Sequence, residues 1–370
     1  MKIGITIDFA VSFWANGMQQ NIVFLYNLLS RIPGNECYYL FNETRPHSLG
    51  YNHKGMKATE ASRVGSKPLD VLIIAGFDLE QESYDGLIKN NPDLKIILIH
   101  YGNKLLDDMS YCLGPETTVN PVKQPKYISQ VWTSPQYSFS HSYLSGYYKT
   151  EEVYECSYIW EPLFIQEKLK SFNIEKKPGA QESKKTSVCI FEPNKNLSKN
   201  CIVPLSIINY FETHFPGELH SCGVFCTEHL RKKTFFKKYI NRLEISNKKD
   251  FLYFNDRWSM TEACSKFGEI IVSHQILNDL NYLYFESLYL GLPLVHNSKT
   301  LSSYGYYYPE FDVKMGANQI KNVLLNHSSV LSEYKSDNQK LFAKYSPYSN
   351  DNIASYDALI KKCKPAKSEL

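Results

Sequence analysis

The stretch from Ile271 to Asn297 constrains the fold of this chain more than any other. An apolar run, Ile270 to Val272, breaks into Ser273, His274 and Gln275. Leu283, Phe285, Leu288, Tyr289 and Leu290 then recur at mixed helical spacings until Gly291, and Leu292, Pro293, Leu294 and Val295 begin a second apolar run. Short, wholly apolar runs bounded by polar breaks suit strands buried on both faces. A glycine after the last periodic residue stops a helix, because glycine adopts the left-handed backbone without strain. The pattern predicts strand, loop, helix, glycine stop and strand, which is the repeating unit of an α/β fold with a parallel sheet.

The same order occurs twice more. Lys2 to Phe9 predicts a strand, Ser12 to Asn21 a polar, glycine-bearing loop, and Ile22 to Leu29 a helix. Ser187 to Asn194 predicts another strand and turn, followed by a loop and a helix with Ser198 as its N-cap and Lys199 near its start. A strand feeding a polar loop and then a helix sets the loop at the carboxyl edge of the sheet, where open α/β sheets bind ligands. Trp14, Asn16, Gly17, Gln19 and Gln20 fall on that edge in the first half of the chain, although Gly17 alone is equally explained by a tight turn. Further strands are predicted at 37–41, 71–74 and 95–99, the last ending in His100, and strand-like pieces at 130–136 and 155–164. A histidine at a strand end is as readily structural as functional. In the second half, strands are predicted at 218–225 and 251–254, and helices at 317–325 and 330–345.

From 167 to 186 apolar periodicity disappears into Lys, Glu, Pro, Gly, Gln and Ser, which predicts a linker. The expected domains are therefore 1–166 and 187–345. A chain of 370 residues with 43% hydrophobic and 21% charged content suits two globular domains, and a formal charge of +3 is too small to call for a nucleic-acid partner. The basic segment 229–249 could meet a nucleic acid, a membrane surface or an anionic glycan, yet its Phe235, Phe236, Tyr239 and Leu243 also make it an ordinary helix with a buried stripe. Nine scattered Cys without a CxxC pair argue for reduced thiols in a cytosolic protein. The residues after Met1 are too short an apolar stretch for a signal peptide, and no run approaches a membrane span. A cytoplasmic protein is expected, at most peripheral to the inner face of the membrane.

Glu286, eight residues after Asn278 and followed by Gly291-Leu-Pro, resembles the E-x7-E region of glycosyltransferases of the B fold (GT-B). Asn278 stands where that pattern has its first glutamate. More specifically, Trp14-Ala-Asn-Gly-Met-Gln-Gln-Asn, Phe191-Glu-Pro-Asn with Lys199-Asn-Cys-Ile-Val-Pro, Ser273-His-Gln, Asn281-Tyr-Leu-Tyr and Gly305-Tyr-Tyr-Tyr-Pro-Glu-Phe-Asp resemble a bacterial family known only as domain of unknown function 2827 and regarded as glycosyltransferase-like. The resemblance implies two Rossmann-like domains facing each other across a cleft, with the last helix, in 346–370, crossing back to the first domain. It implies that Glu286 accepts hydrogen bonds from the ribose of a nucleotide sugar and that Lys199, with Asn194 and Asn200 in support and Lys195 as its rival, meets the diphosphate. His100 would touch the transferred sugar, or act as general base if the enzyme inverts. Arg257 and Trp258 would border the nucleobase, and His274, Gln275, Asn278, Asn281, Tyr282 and Ser287 the rest of the donor pocket. Trp14, Asn16, Gly17, Gln19 and Gln20 would lie on the acceptor side. The E-x7-E likeness leans toward retention of configuration.

No Asp-x-Asp triplet, GxxxxGK[ST], GxGxxG, HExxH or zinc-spaced Cys/His set occurs. The expected protein is a metal-independent glycosyltransferase without a cofactor, taking a nucleotide diphosphate sugar and a glycan or lipid-linked acceptor. The alternatives are a nucleotide-sugar epimerase of the same fold, a DNA-modifying transferase and a non-catalytic sugar- or nucleotide-binding module.

Overall fold

The computed structural model describes residues 1–9, 13, 17–41, 57–61, 68–113, 127–171 and 186–365. Two of the expected acceptor-side residues, Trp14 and Asn16, lie outside them. The chain forms two units, Met1–Glu161 with Ala343–Leu370, and Pro162–Phe342. In chain order the first contains β1 (Lys2–Ile7), α1 (Gly17–Leu29), β2 (Glu36–Phe41), β3 (Ala58–Glu60), β4 (Val71–Ile74), α2 (Gln81–Asn90), β5 (Lys95–His100), α3 (Lys104–Leu113), β6 (Gln130–Thr133), α4 (His141–Tyr148) and β7 (Val153–Glu155). The second contains α5 (Leu163–Ser171), β8 (Thr186–Ile190), α6 (Ile202–His214), β9 (Leu219–Val224), α7 (Thr234–Ile240), β10 (Leu252–Phe254), α8 (Met260–Lys266), β11 (Ile270–Val272), α9 (Tyr282–Leu290), β12 (Leu294–His296), β13 (Tyr306–Tyr307) and most of α10 (Val313–Tyr345). The end of α10 and all of α11 (Asn350–Lys362) return to the first unit.

Each unit is built on one parallel sheet. The first has the order β3-β2-β1-β4-β5-β6-β7 and the second β10-β9-β8-β11-β12-β13. Both faces of the central strands are buried: Ile3, Ile5 and Ile7 line one face of β1 and Val188 and Ile190 one face of β8, while Gly4 and Thr6, and Ser187 and Cys189, line the other faces. Burying each of these Ile and Val side chains stabilises the fold by about 1.5–3 kcal/mol. In the first unit α11 is held by Tyr356, whose hydroxyl donates to the Ser157 carbonyl at 2.8 Å and whose ring meets Trp132 edge-on at 5.7 Å. Among the described residues no helix is long and apolar enough to cross a membrane.

Several expected boundaries move. Helix α1 begins at Gly17, so Gly17, Gln19 and Gln20 sit in its first turn rather than in a loop. Residues 167–171, expected as linker, complete helix α5 of the second unit. The two helices expected at 317–325 and 330–345 are one, α10. The polar Asn-His-Ser-Ser run that suggests a break is fixed in helical form by tertiary contacts: His327 pairs through Nδ1 with the Tyr306 hydroxyl at 3.0 Å and through Nε2 with the Gly291 carbonyl at 3.2 Å.

Candidate functional site

The order of the second sheet reverses between β8 and β11, and open α/β sheets bind ligands outside the carboxyl ends of the strands at such a switch point. Residues 191–201 follow β8 and residues 273–281 follow β11. The two loops touch, with Lys199 bridged to Gln275 by backbone pairing and the Ile276 N–H donating to the Ser198 carbonyl at 2.9 Å.

Gln275 is the hub. Its backbone is clamped by Asn297, which accepts from the Gln275 N–H and donates to the Gln275 carbonyl, both at 2.9 Å. Its side-chain oxygen accepts from Asn278 and, at 2.8 Å, from Asn281. Its side-chain nitrogen donates to Glu192 at 3.4 Å. Asn281 also caps α9, accepting from the Leu283 N–H at 3.0 Å, so the hub is fastened to the helix that carries Glu286. Helix α9 ends at Gly291, whose φ of +72° is the left-handed stop expected from the sequence.

Glu192 is the residue that sequence reasoning passed over. It is fully buried. Its carboxyl accepts from the Ser273 hydroxyl, from Gln275 and from the His274 backbone. Burial raises its pKa to about 7, against the pull of the Ser273 hydrogen bond and of the nearby Lys199 charge. The one sequence signal is an acid set directly after the apolar run Val188 to Phe191, in Phe191-Glu-Pro-Asn.

His274 is 2% exposed, and burial lowers its pKa to about 4, so its ring is neutral. The Tyr308 hydroxyl donates to the Ser273 carbonyl at 3.2 Å, which leaves His274 Nδ1 to donate to Tyr308 at 3.0 Å. The Nε2 lone pair then has no partner among the described residues. The Ser198 hydroxyl, also buried, has none either, and Ser198 does not cap α6, which begins four residues later behind Cys201.

Glu286 lies half-buried on α9, its carboxyl raised to about 7 by burial and drawn down by Lys168 of α5. Other expected donor residues make local hydrogen bonds. Asn194 takes a positive φ of 57°, donates to the carbonyls of Glu192, Phe225 and Cys226, and accepts from the Cys201 N–H. Asn200 bonds the Leu197 carbonyl and the Ile202 N–H. Ser287 donates back to the Leu283 carbonyl at 2.8 Å beside the Met260 sulfur. Those side chains shape loop and helix. Tyr282 is buried at the first turn of α9; Arg257 is exposed on the β10–α8 loop, next to Trp258, which packs on Phe225 and Phe267. Lys195 is exposed and Lys199 half-buried.

In the first unit, Gln19 is fully buried and neither amide atom has a partner among the described residues. Gln20 donates to the Phe13 carbonyl at 2.9 Å, and Gly17 accepts from Asn21. His100 ends β5, as the sequence predicts, and its Nε2 pairs with the Tyr148 hydroxyl at 2.9 Å. Burial and the Lys104 charge lower its pKa to about 4. Among the described residues no three His, Cys, Asp or Glu side chains gather as a metal site would require.

A family model described as "Protein of unknown function (DUF2827)" matches residues 3–360. No curated protein matches the chain by sequence. Among solved structures, sucrose-phosphate synthase of Thermosynechococcus elongatus aligns with a TM-score of 0.58 at 10% identity, covering 98% of both chains. HepE of Anabaena in complex with UDP and glucose aligns with a TM-score of 0.55 at 10% identity, covering 97% of this chain and 99% of that one. A mutant of S. aureus TarM in complex with fondaparinux, α-GlcNAc-glycerol and UDP aligns with a TM-score of 0.50 at 11% identity over 79% of this chain, which spans only 55% of TarM. At these identities the likeness establishes the fold alone, two units each built on one parallel α/β sheet.

Proposed function

This chain belongs to the DUF2827 family, and from that membership and its fold we propose that it is a metal-independent glycosyltransferase moving a sugar from a nucleotide diphosphate sugar to a hydroxyl of a glycan or lipid-linked acceptor. The observation that carries the reading is the joined loop pair at the switch point of the second sheet, where Lys199, Gln275 and the capped α9 helix with Glu286 are fastened together. In this reading the Lys199 ammonium meets the diphosphate, and the positive dipole end of the capped α9 helix adds partial charge. Glu286 accepts from the two ribose hydroxyls. His274 Nε2, a buried acceptor, takes a hydrogen bond from a ligand hydroxyl. In the first unit Gln19 and His100 serve the acceptor side. The missing Asp-x-Asp triplet in the sequence supports the metal-independent part of the reading. HepE, bound to UDP and glucose, and TarM, bound to UDP, support the choice of donor class.

A thermal-shift screen of UDP, GDP, CMP, ADP and dTDP, with and without a divalent cation, tests it. A nucleotide at about a hundred times its dissociation constant adds roughly 2.7 kcal/mol of stability. One nucleotide should stabilise the wild type without metal and leave Glu286→Ala unmoved. If none stabilises the wild type, the donor site is wrong.

The carboxyl of Glu286 adds a pH signature. Only its ionised form accepts from both ribose hydroxyls, so nucleotide affinity should rise from about pH 6 to about pH 8. The unliganded protein should respond in the opposite sense. Because the folded pKa is raised, this group's stabilising contribution is full below the ordinary carboxylate range and is lost as pH rises through about 7. Calorimetric titration of Glu286→Gln should show an affinity without the wild type's rise.

A further inference from the structure

We propose that the exposed face of α7, with the turn before it, docks on an anionic phospholipid bilayer and inserts Phe235. Phe235 is 84% exposed. Helix α7 buries Phe236 and Ile240 in the core of the second unit, and the helical repeat therefore turns Phe235, Lys238 and, just past the helix end, Arg242 outward. The Lys238 ammonium lies 5.8 Å from the centre of the Phe235 ring. Lys232, Lys233 and Lys237 are exposed around it. Of the cations in this segment, Arg231 and Lys248 form ion pairs, with Asp256 and Glu212; among the described residues none engages Lys232, Lys233, Lys237, Lys238 or Arg242. Between Glu228 and Asp250 eight Lys and Arg stand against three acids, in a chain whose whole formal charge is +3. This segment therefore carries an excess of five positive charges, eight minus three, more than the whole chain.

A single exposed phenyl is ordinary on a protein surface; a ring surrounded by unpaired ammonium groups is a different object. The ring gains by leaving water for the boundary between headgroups and acyl chains, while lysine stems lie along that boundary with their charges in the headgroup layer. Each lysine near an anionic leaflet contributes about fivefold in binding. Of the eight cations, five Lys and one Arg have no ion-pair partner among the described residues; the lysines are point charges suited to a diffuse anionic surface, whereas guanidinium forks would suit individual phosphates or bases. One aromatic ring also falls short of the platform that single-stranded nucleic acid needs for successive bases. The face shares no residue with the loops after β8 and β11, so it does not depend on the transferase reading.

Co-sedimentation with vesicles of phosphatidylcholine alone, and of phosphatidylcholine with about one phosphatidylglycerol in three lipids, tests the proposal. The protein should pellet with the anionic vesicles only, and high salt should release it. Lys237→Gln and Lys238→Gln should each weaken binding about fivefold, and Phe235→Ser should weaken it further while keeping the salt dependence. Melting temperature and nucleotide response should stay those of the wild type, which separates lost docking from a lost fold. The proposal is overturned if the wild type ignores anionic vesicles or if a variant combining Phe235→Ser, Lys237→Gln and Lys238→Gln binds them equally well. Tighter binding of single-stranded DNA than of vesicles through the same residues would also overturn it, and would make this a nucleic-acid face.

Discussion

Lys199→Ala is expected to lower transfer turnover by about 10²–10³ while leaving the fold intact. Departure of a nucleotide diphosphate places new negative charge on the leaving oxygens, and a donor already fixed at that point stabilises the transition state without reorganising. The backbone at Lys199 is held independently of its side chain: the N–H donates to Asn196 at 3.2 Å, the carbonyl accepts from Asn194 at 3.0 Å, and Gln275 pairs alongside. Truncating the side chain therefore removes charge and leaves the loop. Lys195→Ala is the comparison, because Lys195 is exposed and no hydrogen bond among the described residues ties its side chain to the joined loops; its effect should be within about twofold, in line with an ordinary surface substitution. Initial rates at saturating donor, using the nucleotide found by thermal shift, decide between them. A damaging Lys195→Ala with a silent Lys199→Ala would move the diphosphate contact to the rival lysine. The loss of Lys199 should also raise the Glu192 carboxyl further, since the lysine charge helps to hold it down.

What the sequence reveals, and what it hides, follows the range of each interaction. The strand at Ile270–Val272 and the stop at Gly291 rest on local patterns, a wholly apolar run and a residue tolerant of φ near +72°, and both are where the sequence puts them. The carboxyl-edge loop after β8 was legible for the same reason. The role of Asn194 was not, because its amide answers carbonyls at Phe225 and Cys226, supplied by a different strand end. Asn278 shows the limit of motif reasoning. Against the E-x7-E pattern it reads as a missing carboxylate, whereas in the fold its amide is turned onto Gln275 and builds the loop. The boundary at Ser198 failed because a serine ahead of an apolar run looks like a cap, while the turn through Asn194 and Asn200 delays the helix to Ile202. Glu192 was hidden most completely: its burial depends on Ser273 and Gln275, which lie some eighty positions away.

Glu192→Ala is expected to destabilise the second unit by about 3–5 kcal/mol, the usual cost of leaving buried partners of a charged group unpaired. For a unit of this size that corresponds to a fall in melting temperature on the order of 10 °C. The Ser273 hydroxyl, the His274 N–H and the Gln275 amide would all face a void, and Gln275 is the hub on which Asn278, Asn281 and the Lys199 strand pairing converge. Nucleotide binding should disappear with the same change. Glu192→Gln separates charge from shape. It keeps an acceptor for Ser273 but cannot ionise, so it imitates the protonated acid. The wild-type carboxyl, with its folded pKa raised to about 7, gives its full stabilising contribution below the ordinary carboxylate range and loses it as pH rises through 7. The difference in melting temperature between Glu192→Gln and wild type should therefore shift in favour of the variant across that window and then level off. Glu286, raised in the same direction, is present in both proteins and cancels in the difference. A Glu192→Ala protein that melts with the wild type, or a Gln variant that tracks it at every pH, would show that the buried carboxyl neither holds the loop pair nor titrates near neutrality.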